Sequence, residues 1–126
     1  MLRVMKRNIV AVIDDNLSVL GAVGRLLSAL GYDAQLYASA KEFLDVALTC
    51  EACGLIVDIQ IGESSGIDLA KLLAIQGFTI PIIFMSANPH ESVKKAVAEI
   101  GGIAFLDKPF GAEELIAALA KVHIPR

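Results

Sequence analysis

Four unbroken apolar runs limit the folds open to this chain: Ile9-Val10-Ala11-Val12-Ile13, Gly54-Leu55-Ile56-Val57, Pro81-Ile82-Ile83-Phe84-Met85 and Ile103-Ala104-Phe105-Leu106. A strand wetted on one face alternates apolar with polar residues, so runs without alternation read as parallel strands covered by helices on both faces. A fifth run, Asp33 to Tyr37, does alternate and suits a sheet edge. Between the runs, apolar residues recur at helical spacing. Val19, Leu20, Val23, Leu26, Leu27 and Leu30 share one face, with Gly31 placed to end that helix. Ser39-Ala40-Lys41-Glu42 reads as a capping box opening a second helix, which is expected to bury Phe43, Leu44, Ala47 and Leu48. A third helix opens near Ser65 and carries Leu69, Leu72 and Leu73. The fourth runs from about His90 with Val93, Val97 and Ile100, and the fifth from near Gly111 with Leu115, Ile116, Leu119 and Val122. Strand then helix, five times over, predicts a parallel α/β sheet with right-handed crossovers. The linkers are short and no repeat or boundary interrupts the pattern, so residues 1–126 are expected to form one domain.

Composition narrows the function classes. Apolar residues are 56% and charged residues 20% of the chain, which supports a buried core and argues against disorder. A net charge of −3 leaves little positive charge for duplex DNA or an anionic membrane. Mean hydropathy is high at +0.64, yet no stretch approaches the roughly 20 apolar residues of a membrane-spanning helix. The start carries Arg3, Lys6 and Arg7, then only Ile9 to Ile13 as an apolar run, with acids directly behind. That is too short for a signal-peptide core and has no small-residue cleavage site, so the chain is read as cytoplasmic. Cys50 and Cys53 stand at C-x-x-C spacing, but a structural zinc site wants four ligands and no second pair exists. A redox pair opens a helix, whereas this pair follows a helix-like segment, so both read as ordinary reduced cysteines.

In open parallel sheets, ligands bind beyond the carboxyl ends of the strands. The residues just past the apolar runs are Asp14 and Asp15, Asp58, Ser86, and Lys108-Pro109. Some have bland readings: Asp14 and Asp15 as helix caps, Ser86 as a turn residue. An acid directly after Leu55-Ile56-Val57, however, is costly without a partner. Taken together, three carboxylates, a hydroxyl and an ammonium converge at one sheet edge. Lys108 offsets one of the three negative charges, and a hard divalent cation among the oxygens would neutralise the other two. Mg²⁺ meets that need and keeps positions open for water and a phosphoryl oxygen. Phosphoryl transfer depends mainly on such positioning and charge stabilisation. A carboxylate can itself be the nucleophile. Asp58, alone on the central strand, suits that role, while the adjacent Asp14 and Asp15 suit the metal.

The acid pair Asp14-Asp15, the central Asp58, Gly66 eight residues on, Ser86-Ala87 and Phe105-Leu106-Asp107-Lys108-Pro109-Phe110 together resemble the receiver domains of two-component response regulators. The stretches Ile82 to Ala87 and Phe105 to Phe110 are similar to receivers of the nitrogen-fixation and nitrate-response type. The resemblance spans nearly the whole chain and implies a flavodoxin-like, doubly wound sheet of five parallel strands, order 2-1-3-4-5, with five helices. It implies that Asp58 becomes a 4-aspartylphosphate by accepting phosphate from a histidine kinase or phosphotransfer protein. Asp15 would bind Mg²⁺ directly, Asp14 mainly through its water shell, and Asp58 with the backbone carbonyl of Gln60 would complete the ligands. Lys108 would pair with the acids and then, with Ser86 and Ala87, hold the phosphoryl group. Phe105, core by default, would swing inward as Ser86 moves. Lys108-Pro109 would be a cis peptide, a form that X-Pro bonds adopt at a cost of about 0.5–1 kcal/mol. Output would leave through the face of the fourth helix, fifth strand and fifth helix, where Lys94 and Lys95 otherwise read as a solvated face. Two copies could pair on phosphorylation.

Some positions depart from the usual pattern. Gly62 stands where the family usually has Pro, which predicts a more mobile loop, and Ile61 replaces a usual Met or Leu. Gln60 and Asn88 occupy variable positions that influence phosphate lifetime in the family. A haloacid-dehalogenase-type phosphatase would need a second Asp two residues after its nucleophile, and Gln60, Asn16 and Leu17 occupy those places. No G-x-G-x-x-G or G-x-x-x-x-G-K-[ST] supports a nucleotide or flavin binder. The expectation is therefore a phosphorylatable receiver without an attached output domain. It is not an enzyme beyond promoting its own phosphorylation and dephosphorylation, and it acts through a partner protein or a phosphorelay without touching nucleic acid or membrane. The alternative is a pseudo-receiver that binds partners without being phosphorylated. A piece of a longer regulator also stays open, since Val122 to Arg126 reads as a chain running out after the fifth helix.

Overall fold

The computed structural model describes residues 5–88 and 90–123; Arg3 of the basic start and Ile124 to Arg126 of the tail lie outside them. In chain order the elements are β1 (Lys6–Ile13), α1 (Leu17–Ala29), β2 (Asp33–Tyr37), α2 (Ala40–Leu44), β3 (Ala52–Asp58), two short strands β4 (Gln60–Ile61) and β5 (Ser64–Ser65), α3 (Gly66–Ile75), β6 (Ile82–Ser86), α4 (Glu91–Glu99), β7 (Ala104–Asp107) and α5 (Ala112–Val122). The five longer strands pair in parallel in the order β2-β1-β3-β6-β7. Counting those five alone, this is the predicted 2-1-3-4-5 arrangement, with the alternating segment at the edge. No described helix is long and apolar enough to cross a membrane.

In β1, β3 and β6 the unbroken runs follow from burial on both faces. Successive side chains of a strand point to opposite sides. Ile9, Ala11 and Ile13 of β1 therefore pack with Phe43, Leu69, Leu73 and Phe84. Val10 and Val12 pack on the other side with Leu20, Leu27, Leu115 and Leu119. The two cysteines also part: Cys50, ahead of β3, joins the first cluster and Cys53, within β3, the second. The Cys53 thiol donates to the Arg7 carbonyl at 3.1 Å, and Cys50 Sγ accepts from the Ala52 N–H at 3.4 Å.

The second helix is shorter than its apolar spacing predicts. It ends at Leu44, Val46 leaves helical geometry, and a single 3₁₀ turn covers Ala47–Thr49. That break keeps Ala47 buried but turns Leu48 outward, 83% exposed, contrary to expectation. Leu72 and Ile116, at 38% and 50% exposure, lie on the margin of their helices' apolar stripes rather than within them.

The cap of α1 also differs from the sequence reading. Asn16, not Asp14 or Asp15, is the N-cap, its Oδ1 accepting from the Ser18 and Val19 N–H groups at 3.0 and 3.2 Å. Both acids are thereby released to the site beyond β1. Asn16→Ala should lower stability by about 1 kcal/mol. A shift of the urea midpoint at unchanged m-value would show it, and an unmoved midpoint would mean water satisfies those donors equally well.

Candidate functional site

The carboxyl ends of β1, β3, β6 and β7 meet at one edge of the sheet. Asp58 ends β3, the central strand, between β1 and β6. Its position is clamped from behind: Ile59 donates to the Met85 carbonyl at 2.9 Å, and Gly66 donates to the Ile59 carbonyl at 2.7 Å. The Gln60 N–H donates to Asp58 Oδ1 at 2.9 Å. Asp14, directly after β1, is fully buried, and its Oδ1 accepts from the Asn16 N–H at 2.9 Å. Asp15 is exposed, and its Oδ2 accepts from the Gly62 N–H at 3.0 Å. Lys108 follows β7, and its backbone N–H donates to the Ser86 carbonyl at 2.8 Å, which ties it to the end of β6. Its ammonium donates to Asp14 Oδ2 at 2.7 Å and also to Asp58 Oδ2. The Lys108–Pro109 peptide is cis.

The electrostatics follow from this packing. Burial pushes the Asp14 carboxyl above its ordinary value of 3.8, a rise that the Lys108 and Asn16 hydrogen bonds reduce without cancelling. Burial alone would depress the Lys108 ammonium, but its hydrogen bonds to Asp14 and Asp58 outweigh that and hold it above the usual 10.5. An acid whose folded value is raised favours the folded state most when protonated, and loses that contribution as pH rises through the folded value. In chelator, the stability of the native chain relative to Asp14→Asn should therefore fall as pH climbs from 3.8 upward. Urea midpoints of both chains across the carboxyl range would check this. A difference that grew with pH would reverse the assignment.

Asp14, Asp15 and Asp58 each offer an oxygen, all within 4.8 Å of one another. With Gln60, Ser86, Ala87 and Lys108 they line a cavity of about 510 Å³. Three hard anionic oxygens offset by a single ammonium form a donor set suited to a divalent cation.

A family model for the response regulator receiver domain matches residues 10–120. This chain belongs to that family. As a receiver it is 38% identical over 118 residues to the response regulator protein TmoT of Ectopseudomonas mendocina, covering 90% of this chain and 52% of that protein. It is 33% identical over 110 residues to the transcriptional regulatory protein TdiR of Thauera aromatica, covering 87% and 48%. The chain thus spans about half the length of the curated relatives it matches. Among solved structures, FixJ-N superposes with a TM-score of 0.85 at 23% identity, covering 97% of this chain and 99% of that one. The chemotaxis response regulator CheY4 of Vibrio cholerae gives 0.81 at 25%, covering 90% and 97%.

Two of the predicted residues of this receiver lie outside the main cavity. Phe105 and Pro109 line a neighbouring one of about 420 Å³ with Lys94, Asp107 and Glu114. Phe105 is half-buried, packs against the first core cluster, and has the Lys94 ammonium 5.8 Å from its ring centre. The Ser86 hydroxyl oxygen accepts from the Asn88 N–H at 3.0 Å. Sequence reading missed Asn16 and His90, which also line the main cavity. Their signal was positional: Asn16 follows the acid pair, and His90 stands shortly after Ser86. It also missed Gly62 as the partner of Asp15. In place of a loose loop, β4 and β5 pair antiparallel and the turn between them docks on that carboxylate.

Proposed function

We propose that this receiver accepts a phosphoryl group on Asp58 from a histidine kinase or phosphotransfer protein, and that the modified chain controls a protein partner in two-component signal transduction. The observation that carries the reading is the Lys108 ammonium joined to both the Asp58 and the buried Asp14 carboxylates in an open acidic cavity. In the step, an Asp58 carboxylate oxygen attacks phosphorus. The new P–O bond forms as the P–N bond to the donor imidazole breaks, and the departing nitrogen takes a proton. Asp58 has the placement a nucleophile needs, because backbone hydrogen bonds on both sides fix where its carboxylate stands. Lys108 then shares its donors with a phosphoryl oxygen. The Ser86 hydroxyl, free to rotate, turns its proton toward another, beside the Ala87 backbone. Asp14, Asp15, Asp58 and the Gln60 carbonyl would hold Mg²⁺, whose charge, when bound, offsets the carboxylates and the transferring oxygens.

The product is a conformational state rather than a released compound: Phe105 moves into space left by Ser86 and reshapes the α4, β7 and α5 face. The chain is not an enzyme in any wider sense. TdiR is named a transcriptional regulatory protein, which makes transcription one output such a switch can serve. The part corresponding to this chain is taken to act through protein contacts, in keeping with its net charge of −3. The test is intact mass after incubation with acetyl phosphate and Mg²⁺, beside Asp58→Asn and a sample with chelator. A one-phosphate gain confined to the native chain with metal is expected. No gain in a folded sample would move the reading to a module that binds partners without phosphate.

A further inference from the structure

The three acids of the cavity are not held alike. Asp14 and Asp58 each receive the Lys108 ammonium and a backbone N–H, from Asn16 and Gln60 respectively. Asp15 receives no ammonium. Among the described residues, the Gly62 N–H at 3.0 Å is the one donor to its carboxylate. Asp15 is also the exposed member of the group, with an oxygen within 4.8 Å of those of two other carboxylates. Repulsion from those neighbours favours rotamers that carry an exposed carboxylate out into water, away from the metal-binding oxygens. The Gly62 N–H opposes that drift.

The turn is built to present this donor. Gly62 sits at φ +59, in the left-handed region, between the paired strands β4 and β5. Its carbonyl accepts from the Gln60 side-chain amide at 3.2 Å, and Gln60 in turn binds Asp58 through its own N–H. The turn is therefore anchored at the phosphoacceptor and reaches across to Asp15, bridging two of the three acids. Resting on the reading of this site as a metal-dependent receiver, we infer that the backbone N–H of Gly62 is a positioning group for Asp15 and sets the affinity of the acidic cavity for its divalent cation. Hydrogen bonds that orient metal-ligating carboxylates act on affinity in this way.

Proline and asparagine at position 62 separate the donor from the residue. Proline has no N–H and cannot adopt φ +59. Asparagine keeps the N–H and tolerates the left-handed region. A Cβ added there has Asp15 Oδ2, at 3.9 Å, as its nearest contact. The test titrates Mg²⁺ alone, without phosphodonor, into the full chain and its Gly62→Pro and Gly62→Asn variants, followed by backbone amide resonances. Gly62→Pro should weaken Mg²⁺ binding about tenfold and Gly62→Asn no more than about twofold. Equal affinity of the native and Pro chains would overturn the inference, as would equal weakening in both variants. Should the Pro variant fail to fold, hydrogen exchange at the Gly62 amide decides. Protection in the native chain that is lost in Asp15→Ala supports the assignment, and the same rate in both overturns it. Absence of any saturable Mg²⁺ binding by the native chain would instead sink the metal reading itself, so the two failures are distinguishable.

Discussion

Lys108→Met should destabilise the metal-free chain by about 3–5 kcal/mol, the usual cost of removing one partner from a buried ion pair. The Lys108 side chain is 14% exposed and lies between side chains that are 0% and 11% exposed, so little water reaches the carboxylates it leaves behind. Asp14, already pushed upward by burial, would lose the hydrogen bond that opposes that rise. Mg²⁺ should restore more stability to the variant than it adds to the native chain, because three unbalanced acids gain more from a divalent cation than three acids already sharing an ammonium. Lys108→Arg separates charge from shape: it keeps the positive charge but replaces a compact ammonium with a planar fork. It should recover part of the stability and little of the phosphate gain. The measurement is a pair of urea curves for each chain, in chelator and in saturating Mg²⁺, alongside intact mass with acetyl phosphate. A Met variant as stable as the native chain in chelator would mean that the ion pair only balances its own desolvation.

The parts of this molecule legible in the sequence are those governed by burial. Three of the four apolar runs have no alternation because β1, β3 and β6 are covered on both faces; the fourth, β7, is an edge strand and only partly buried, as is the alternating β2 at the other edge. Asp14 and Asp58 could be read together because each directly follows a buried run, where an isolated charge would be too costly to keep, and Lys108 stands two residues past the last run. Elements governed by hydrogen bonding across the chain were not legible. The pairing of Gln60–Ile61 with Ser64–Ser65 has no apolar period to betray it, and it is pinned by a carboxylate 47 residues away. The choice of Asn16 over two neighbouring acids as helix cap turns on which of three adjacent polar side chains points back along the helix. Here the two acids are engaged elsewhere, Asp14 by Lys108 from the far end of the chain and Asp15 by the Gly62 N–H. The early end of α2 is likewise a tertiary effect: five helical residues suffice to place Phe43 edge-on against Tyr37 and Phe78, with ring centres 5.5 and 6.2 Å away.

Gly66→Ala should cost about 1–3 kcal/mol and lower phosphorylation of the folded fraction as well, although residue 66 touches neither metal nor phosphate. A Cβ at this position would lie 2.2 Å from the Asp58 carbonyl oxygen and 3.1 Å from its carbonyl carbon. Both atoms are backbone, so no side chain can swing aside to make room. Relief requires α3 to retreat from the end of β3 or the Asp58–Ile59 peptide to tilt. Either movement stretches the 2.7 Å hydrogen bond from the Gly66 N–H to the Ile59 carbonyl, which fixes the strand end carrying Asp58. Gly66 is thus the residue that lets a helix start directly against the strand that ends in Asp58. This accounts physically for a glycine eight residues after Asp58, without appeal to turn flexibility. The decisive comparison is with Gly77→Ala at the end of the same helix, where an added Cβ meets nothing within 4 Å and only the φ of +74 is unfavourable. Both variants should lose stability, but at equal folded fraction only Gly66→Ala should accept phosphate more slowly. Equal phosphorylation rates would show that the strand end can shift without moving the Asp58 carboxylate out of reach of Lys108.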